Sequence, residues 1–180
     1  MQMNIAEILK KDFIIEQLSS RTKRDVLEEL AAVILGGRPG YHAEETVNVL
    51  LGREKLGSTG IGDGIAIPHG KLAIIDELTI SFGISQEGID FNAMDGRPVH
   101  LFFLLLAPEN AAGQHLKMLA KLSKMLKDAA FRNDLLTARS RDEIMQVIIN
   151  KDEFCLLVRI PVGPLREKRV VIDVICPSNS

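Results

Sequence analysis

Apolar positions recur with two periods along this chain, and segments of the two kinds alternate. Ile5, Ile8 and Leu9 share one face of a short predicted helix over 4–10, with Asn4 as its cap. Phe13-Ile14-Ile15 reads as a strand. Val26, Leu27, Leu30, Val33 and Ile34 then recur at helical spacing, after a cap at Ser19 or Ser20 and up to the Gly36-Gly37 stop. Arg38-Pro39-Gly40 forms a turn, and a further helix over 44–55 turns Val47, Leu50 and Leu51 inward. Over 78–85, β-branched and aromatic residues alternate with small ones, which predicts a strand. Asp95-Gly96-Arg97-Pro98 has turn chemistry. The run from Val99 to Ala107 is too continuously apolar to be half exposed and reads as a buried central strand, stopped by Pro108. Helices are predicted over 111–127, 129–138 and 140–150. Strands interleaved with helices imply an α/β layer fold with the sheet in the middle. Beyond residue 150, the runs 154–160 and 169–175 flank a Pro161-Val162-Gly163-Pro164 turn and predict a β-hairpin.

Composition narrows the class. The chain has 180 residues, enough for one domain with a real core; 46% are hydrophobic and 26% charged. A formal charge of −2 gives no electrostatic pull toward nucleic acid or a membrane surface. The N-terminal residues lack the basic end and apolar run of a signal peptide, and no run is long enough to span a bilayer. Cys155 and Cys176 form no CxxC pair and would remain thiols in a cytosolic setting. A cytoplasmic location is expected.

The chemistry concentrates between Gly57 and Lys71. Gly57, Gly60, Gly62, Gly64 and Gly70 surround the short apolar run Ile65-Ala66-Ile67, which is followed by Pro68 and His69. A loop, a short strand and a histidine where that strand ends are predicted. Pro68 fixes its own φ, and Gly70 adds no bulk, so the imidazole would be held in one direction and open to approach. A histidine in a Gly-rich turn is often a turn residue only. The glycines have the wrong spacing for a dinucleotide fingerprint, and Gly57 is followed by serine where a P-loop needs lysine.

Asp63-Gly64-Ile65-Ala66-Ile67-Pro68-His69-Gly70 resembles the phosphohistidine signature of the IIA proteins of the phosphoenolpyruvate:sugar phosphotransferase system, fructose/mannitol type. The likeness extends upstream through Arg53-Glu54-Lys55-Leu56 and downstream to His115-Leu116, and covers about residues 1–150. Its wording is closest to the nitrogen-regulatory branch, IIA-Ntr, in which position 63 is usually asparagine; Asp63 is nearer the acidic residue of the mannitol type. The resemblance implies a mixed β-sheet flanked by helices in layers over 1–150. The predicted hairpin lies outside it, in a C-terminal extension over 151–180 that could pack on a sheet edge or pair with a second copy as a homodimer.

The resemblance also implies a phosphoryl relay. His69 matches the phosphorylated histidine, and His115, near the start of a helix, matches the second histidine that donates to phosphoryl oxygens. Arg53 matches the active-site arginine, balancing phosphoryl charge or holding a carboxylate. Asp63 would orient Arg53 or a histidine, and Thr59 could donate its hydroxyl. Each has an ordinary alternative: an exposed helix histidine, a last-turn arginine, a turn aspartate. His42 and His100 match nothing functional. No cofactor is implied, and no HExxH-like spacing supports a metal held by His69, His115 and Asp63. The implied donor is HPr or its nitrogen-branch counterpart NPr. The acceptor is a regulatory target protein, read by phosphorylation state, or alternatively a IIB protein in sugar uptake.

Overall fold

Strand β6 (Val99–Ala107) lies at the centre of a six-stranded mixed sheet and is buried on both faces. The computed structural model describes residues 4–157. Leu101, Phe103 and Leu105 point into one half of the core and Phe102, Leu104 and Leu106 into the other, as the period of two demands. The continuous apolar run is therefore the signature of a strand covered by helices on both sides.

The antiparallel partner of β6 is β5 (Thr79–Ile89), which in turn pairs in parallel with β1 (Leu9–Ile15) at one edge. On β5 the alternation of large and small side chains has a packing reason. Ile80, Phe82 and Ile84 fill one face, with Phe82 against Phe103 at 4.6 Å between ring centroids. Gly83, on the other face, leaves the space that Leu18 occupies: a Cβ there would lie 2.9 Å from its Cδ2. Ser81 donates to the Leu30 carbonyl at 2.8 Å across the same face.

Helices α2 (Lys23–Leu35) and α3 (Ala43–Lys55) cover one side of the sheet. The other side carries the one-turn α1 (Ile5–Ile8), α4 (Ala112–Leu126), α5 (Ala129–Thr137) and α6 (Arg141–Leu157). Among the described residues, no helix is long and apolar enough to cross a membrane.

Four expectations need correction. The first helix does not reach residue 10: Asn4 caps it at Ala6 N–H, but Leu9 already pairs with Ile80, so tertiary pairing overrides local helical spacing. Ser19 and Ser20 do not cap α2. Thr22 does, through Asp25 N–H, while the two serine N–H groups bind the Glu29 carboxylate. The strand over 78–85 continues to Ile89. Residues 154–157 of the expected hairpin are the last turn of α6 instead; its remaining residues lie outside the described ones.

Candidate functional site

The site is built on three very short strands beside β6. Strands β2 (Gly60–Gly62) and β3 (Ile65–Ala66) form a tight antiparallel hairpin around Asp63-Gly64. Asp63 and Gly64 have φ of 53° and 75°, the positive values that primed two-residue turns require and that an Asp-Gly pair accepts. Gly60 is needed for a different reason: a Cβ there would lie 2.8 Å from Ala93 Cα, a backbone atom that cannot yield cheaply.

The chain after this hairpin departs from expectation. His69 does not end the strand that Ile65 begins; it opens another, β4 (His69–Lys71), further along the same edge of β6. Pro68 supplies the break because it has no N–H for the ladder, yet its carbonyl still accepts from Leu105 N–H at 2.9 Å. His69 is thus attached to the buried central strand, in register with Leu105.

The half-buried His69 ring is held at both nitrogens. Nδ1 lies 2.9 Å from the Ile67 carbonyl, and Nε2 lies 3.0 Å from Nε of Arg53. A carbonyl only accepts and a guanidinium only donates, so the pair selects the neutral Nδ1–H tautomer with the Nε2 lone pair toward Arg53. Burial pulls the His69 pKa below its ordinary value and the Arg53 charge adds to this, against the Ile67 hydrogen bond and the Glu54 charge. Arg53 is tied down by a second bond, Nη1 to the Gly57 carbonyl at 3.0 Å.

His115, the fourth residue of α4, brings its ring centroid to 5.2 Å from that of His69, tilted by 58°. It is 8% exposed, and its Nε2 has no hydrogen-bond partner among the described residues. Burial, with the charges of His69, Lys71 and Arg53 behind it, lowers its pKa to about 4. Both imidazoles are therefore neutral near pH 7.

The other candidates fall elsewhere. Asp63 binds neither Arg53 nor a histidine. Its carboxylate lies 3.6 Å from Arg132, and its N–H donates to Asp95 at 2.9 Å, so it is a turn residue that links the hairpin to α5. Arg132 also donates to the Leu126 and Lys127 carbonyls at the end of α4. Thr59 is buried, and its hydroxyl is engaged by Glu54 rather than offered to the site. Hence His69, His115 and Asp63 do not gather as a ligand set. His42 stands at the N-cap of α3, and His100 Nδ1 bonds the Ser85 carbonyl at 2.9 Å.

Two groups of the site escaped the sequence reading. Lys71, two residues beyond His69 on β4, shares its face of the strand and adds positive charge. Its spacing from His69 was visible, but only the strand assignment gives it a direction. Glu54 lies behind Arg53 in the last turn of α3; its helical spacing from Val47 and Leu50 placed it on the inward face, but its partners follow only from the fold.

A neutral imidazole with an aimed lone pair, a guanidinium on that lone pair, an ammonium alongside and a second buried imidazole form an arrangement chemically able to accept a phosphoryl group. Residues 7–151 match the family described as phosphoenolpyruvate-dependent sugar phosphotransferase system, EIIA 2. The chain belongs to this family and is a phosphocarrier component of that system. It is 40% identical over 146 residues to a nitrogen regulatory protein of Bradyrhizobium diazoefficiens, covering 81% of this chain and 95% of that one. It is 38% identical over 156 residues to the fructose-specific EIIABC component of Bacillus subtilis, covering 84% of this chain but only 24% of that much longer one. Among solved structures, nitrogen regulatory protein IIA-Ntr from Neisseria meningitidis superposes with a TM-score of 0.74 at 38% identity, over 80% of this chain and 98% of that one.

Proposed function

We propose that His69 Nε2 accepts a phosphoryl group from the phosphohistidine of HPr or NPr, and that the phosphorylation state selects regulatory target proteins. The observation that carries this reading is the locked tautomer, with Nδ1–H on Ile67 and the Nε2 lone pair aimed outward at Arg53. In the transfer, a bond forms between Nε2 and phosphorus while the donor's N–P bond breaks and its imidazole recovers the electron pair. The proton stays on Nδ1, donated to the Ile67 carbonyl. Arg53 leaves the lone pair and donates to phosphoryl oxygens, Lys71 balances their charge, and the open Nε2 of His115 supplies a further donor when protonated there. The product adds close to two negative charges at His69.

The regulatory role is supported by the likeness to nitrogen regulatory proteins, at 40% identity over 146 residues to that of Bradyrhizobium diazoefficiens and with a TM-score of 0.74 to IIA-Ntr of Neisseria meningitidis. Transfer to a IIB protein is the alternative. A cytoplasmic location, a homodimer and the division at residue 150 are also proposed. The last is supported by the end of the family match at 151, although α6 itself runs on to Leu157.

Incubation with phosphoenolpyruvate, enzyme I and HPr or NPr, read by intact mass, tests the chemistry. One acid-labile, base-stable phosphoryl group is expected in the wild type and none in His69→Ala. An adduct that persists in His69→Ala, or none with either donor, refutes it. Partner binding that changes with phosphorylation separates regulation from sugar transport, which instead requires discharge onto a IIB protein.

A further inference from the structure

Glu54 is 8% exposed and sits directly behind an anion-accepting site, where a carboxylate repels the incoming group. Burying a carboxylate is costly unless its oxygens are paired, and here they are. Lys23, the first residue of α2, reaches Oε2 at 3.2 Å while its ammonium stands 4.5 Å over the Phe91 ring. Thr59 donates both its hydroxyl and its N–H, the latter at 3.1 Å to Oε1.

The bonds continue from there to the nucleophile. Thr59 carbonyl accepts from Ile67 N–H at 3.0 Å, across the Asp63-Gly64 hairpin. Ile67 carbonyl accepts from His69 Nδ1, and His69 Nε2 accepts from Arg53, which is joined to Glu54 by a peptide bond. Glu54, Thr59, Ile67, His69 and Arg53 thus form a closed ring, anchored to α2 through Lys23.

We propose that Glu54 is a positioning residue for His69: through Thr59 and Ile67 it holds the imidazole in the Nδ1–H tautomer and keeps Nε2 facing Arg53. This rests on the reading of His69 as the phosphoryl acceptor. Thr59, expected to touch the phosphoryl group, acts instead as the link between carboxylate and ring. The negative charge at position 54 is tolerated because the Lys23 ammonium pairs with Oε2 at 3.2 Å.

The full-length chain, labelled with 15N, tests this through the His69 ring nitrogen shifts and the rate of phosphoryl uptake from phosphorylated HPr. The wild type gives one neutral tautomer, protonated at Nδ1. In Glu54→Gln the ring nitrogens move toward a mixture of tautomers and uptake slows by about 10- to 100-fold. Thr59→Val shifts both readings the same way, and Thr59→Ser restores them; this pair decides the matter if Glu54→Gln does not fold. A Glu54→Gln protein with the wild-type tautomer overturns the proposal, whether its rate is unchanged or reduced, because slowing alone reflects a looser fold. Absence of a phosphoryl group on wild-type His69 refutes the acceptor reading instead, while the ring shifts still report on Glu54.

Discussion

Strands β5 and β6 run for eleven and nine residues and exchange an extended antiparallel ladder, whereas β2, β3 and β4 contribute three residues or fewer each. The long pair is held by side-chain burial on both faces, with every residue from Leu101 to Ala107 within 1% of complete burial. The short strands are held by individual hydrogen bonds, such as Pro68 carbonyl to Leu105 and Thr59 carbonyl to Ile67. Burial is non-directional and fills space; hydrogen bonds fix angles. The first region therefore sets stability, and the second sets where the His69 imidazole points.

Substitutions should separate these properties. The largest effect is expected from Phe103→Ala, which removes a ring packed on Phe82 in the core and should cost about 3–5 kcal/mol in urea denaturation. The His69 tautomer of the remaining folded protein should be unaltered. A cost near 1 kcal/mol, or a changed ring, would erase the distinction between the regions.

Arg53→Gln should do the reverse. Phosphoryl uptake is expected to fall by about 100-fold, as for loss of one aimed charge at a reacting centre, with a stability change of about 1 kcal/mol or less. Unchanged uptake would remove Arg53 from the site.

Acid provides a smaller probe of the histidine pair. Both folded pKa values lie below the unfolded value of about 6.5, so the unfolded chain binds protons that the folded one does not. Their contribution is fully present above pH 6.5 and is lost as pH falls from there toward about 4 for His115. Urea midpoints of His115→Gln should therefore decline less steeply than wild type across this window. Equal slopes would show that His115 is not held neutral.

The smallest effect is expected for Asp63→Asn, less than about 1 kcal/mol, since its ion pair with Arg132 is long and its carboxylate exposed. Asparagine tolerates the φ of 53° as aspartate does, so uptake should persist. A marked loss of uptake would return Asp63 to the phosphoryl site.

Much of this was legible in the residues. The unbroken Val99–Ala107 run could only be a doubly covered strand, and the glycines, Pro68 and His69 marked the site because their backbone constraints are local. The family match over residues 7–151 agrees with the resemblance carried by those motifs. What was misread depended on partners that local spacing does not show: Leu9 left its helix for Ile80, Asp63 turned to Arg132, and Thr59 to Glu54.

The sequence by itself determined the alternation of helix and strand, the central strand and the short strand break that presents His69, since periodicity and backbone restriction act over a few residues. Only the tertiary structure decided the tautomer of His69, the pairing of its ring with His115 and the pairing of Glu54 with Lys23. Each requires groups distant in the chain to meet at hydrogen-bonding or ring-contact distance, and that geometry exists only once the sheet has brought α2, α3, β4 and α4 together.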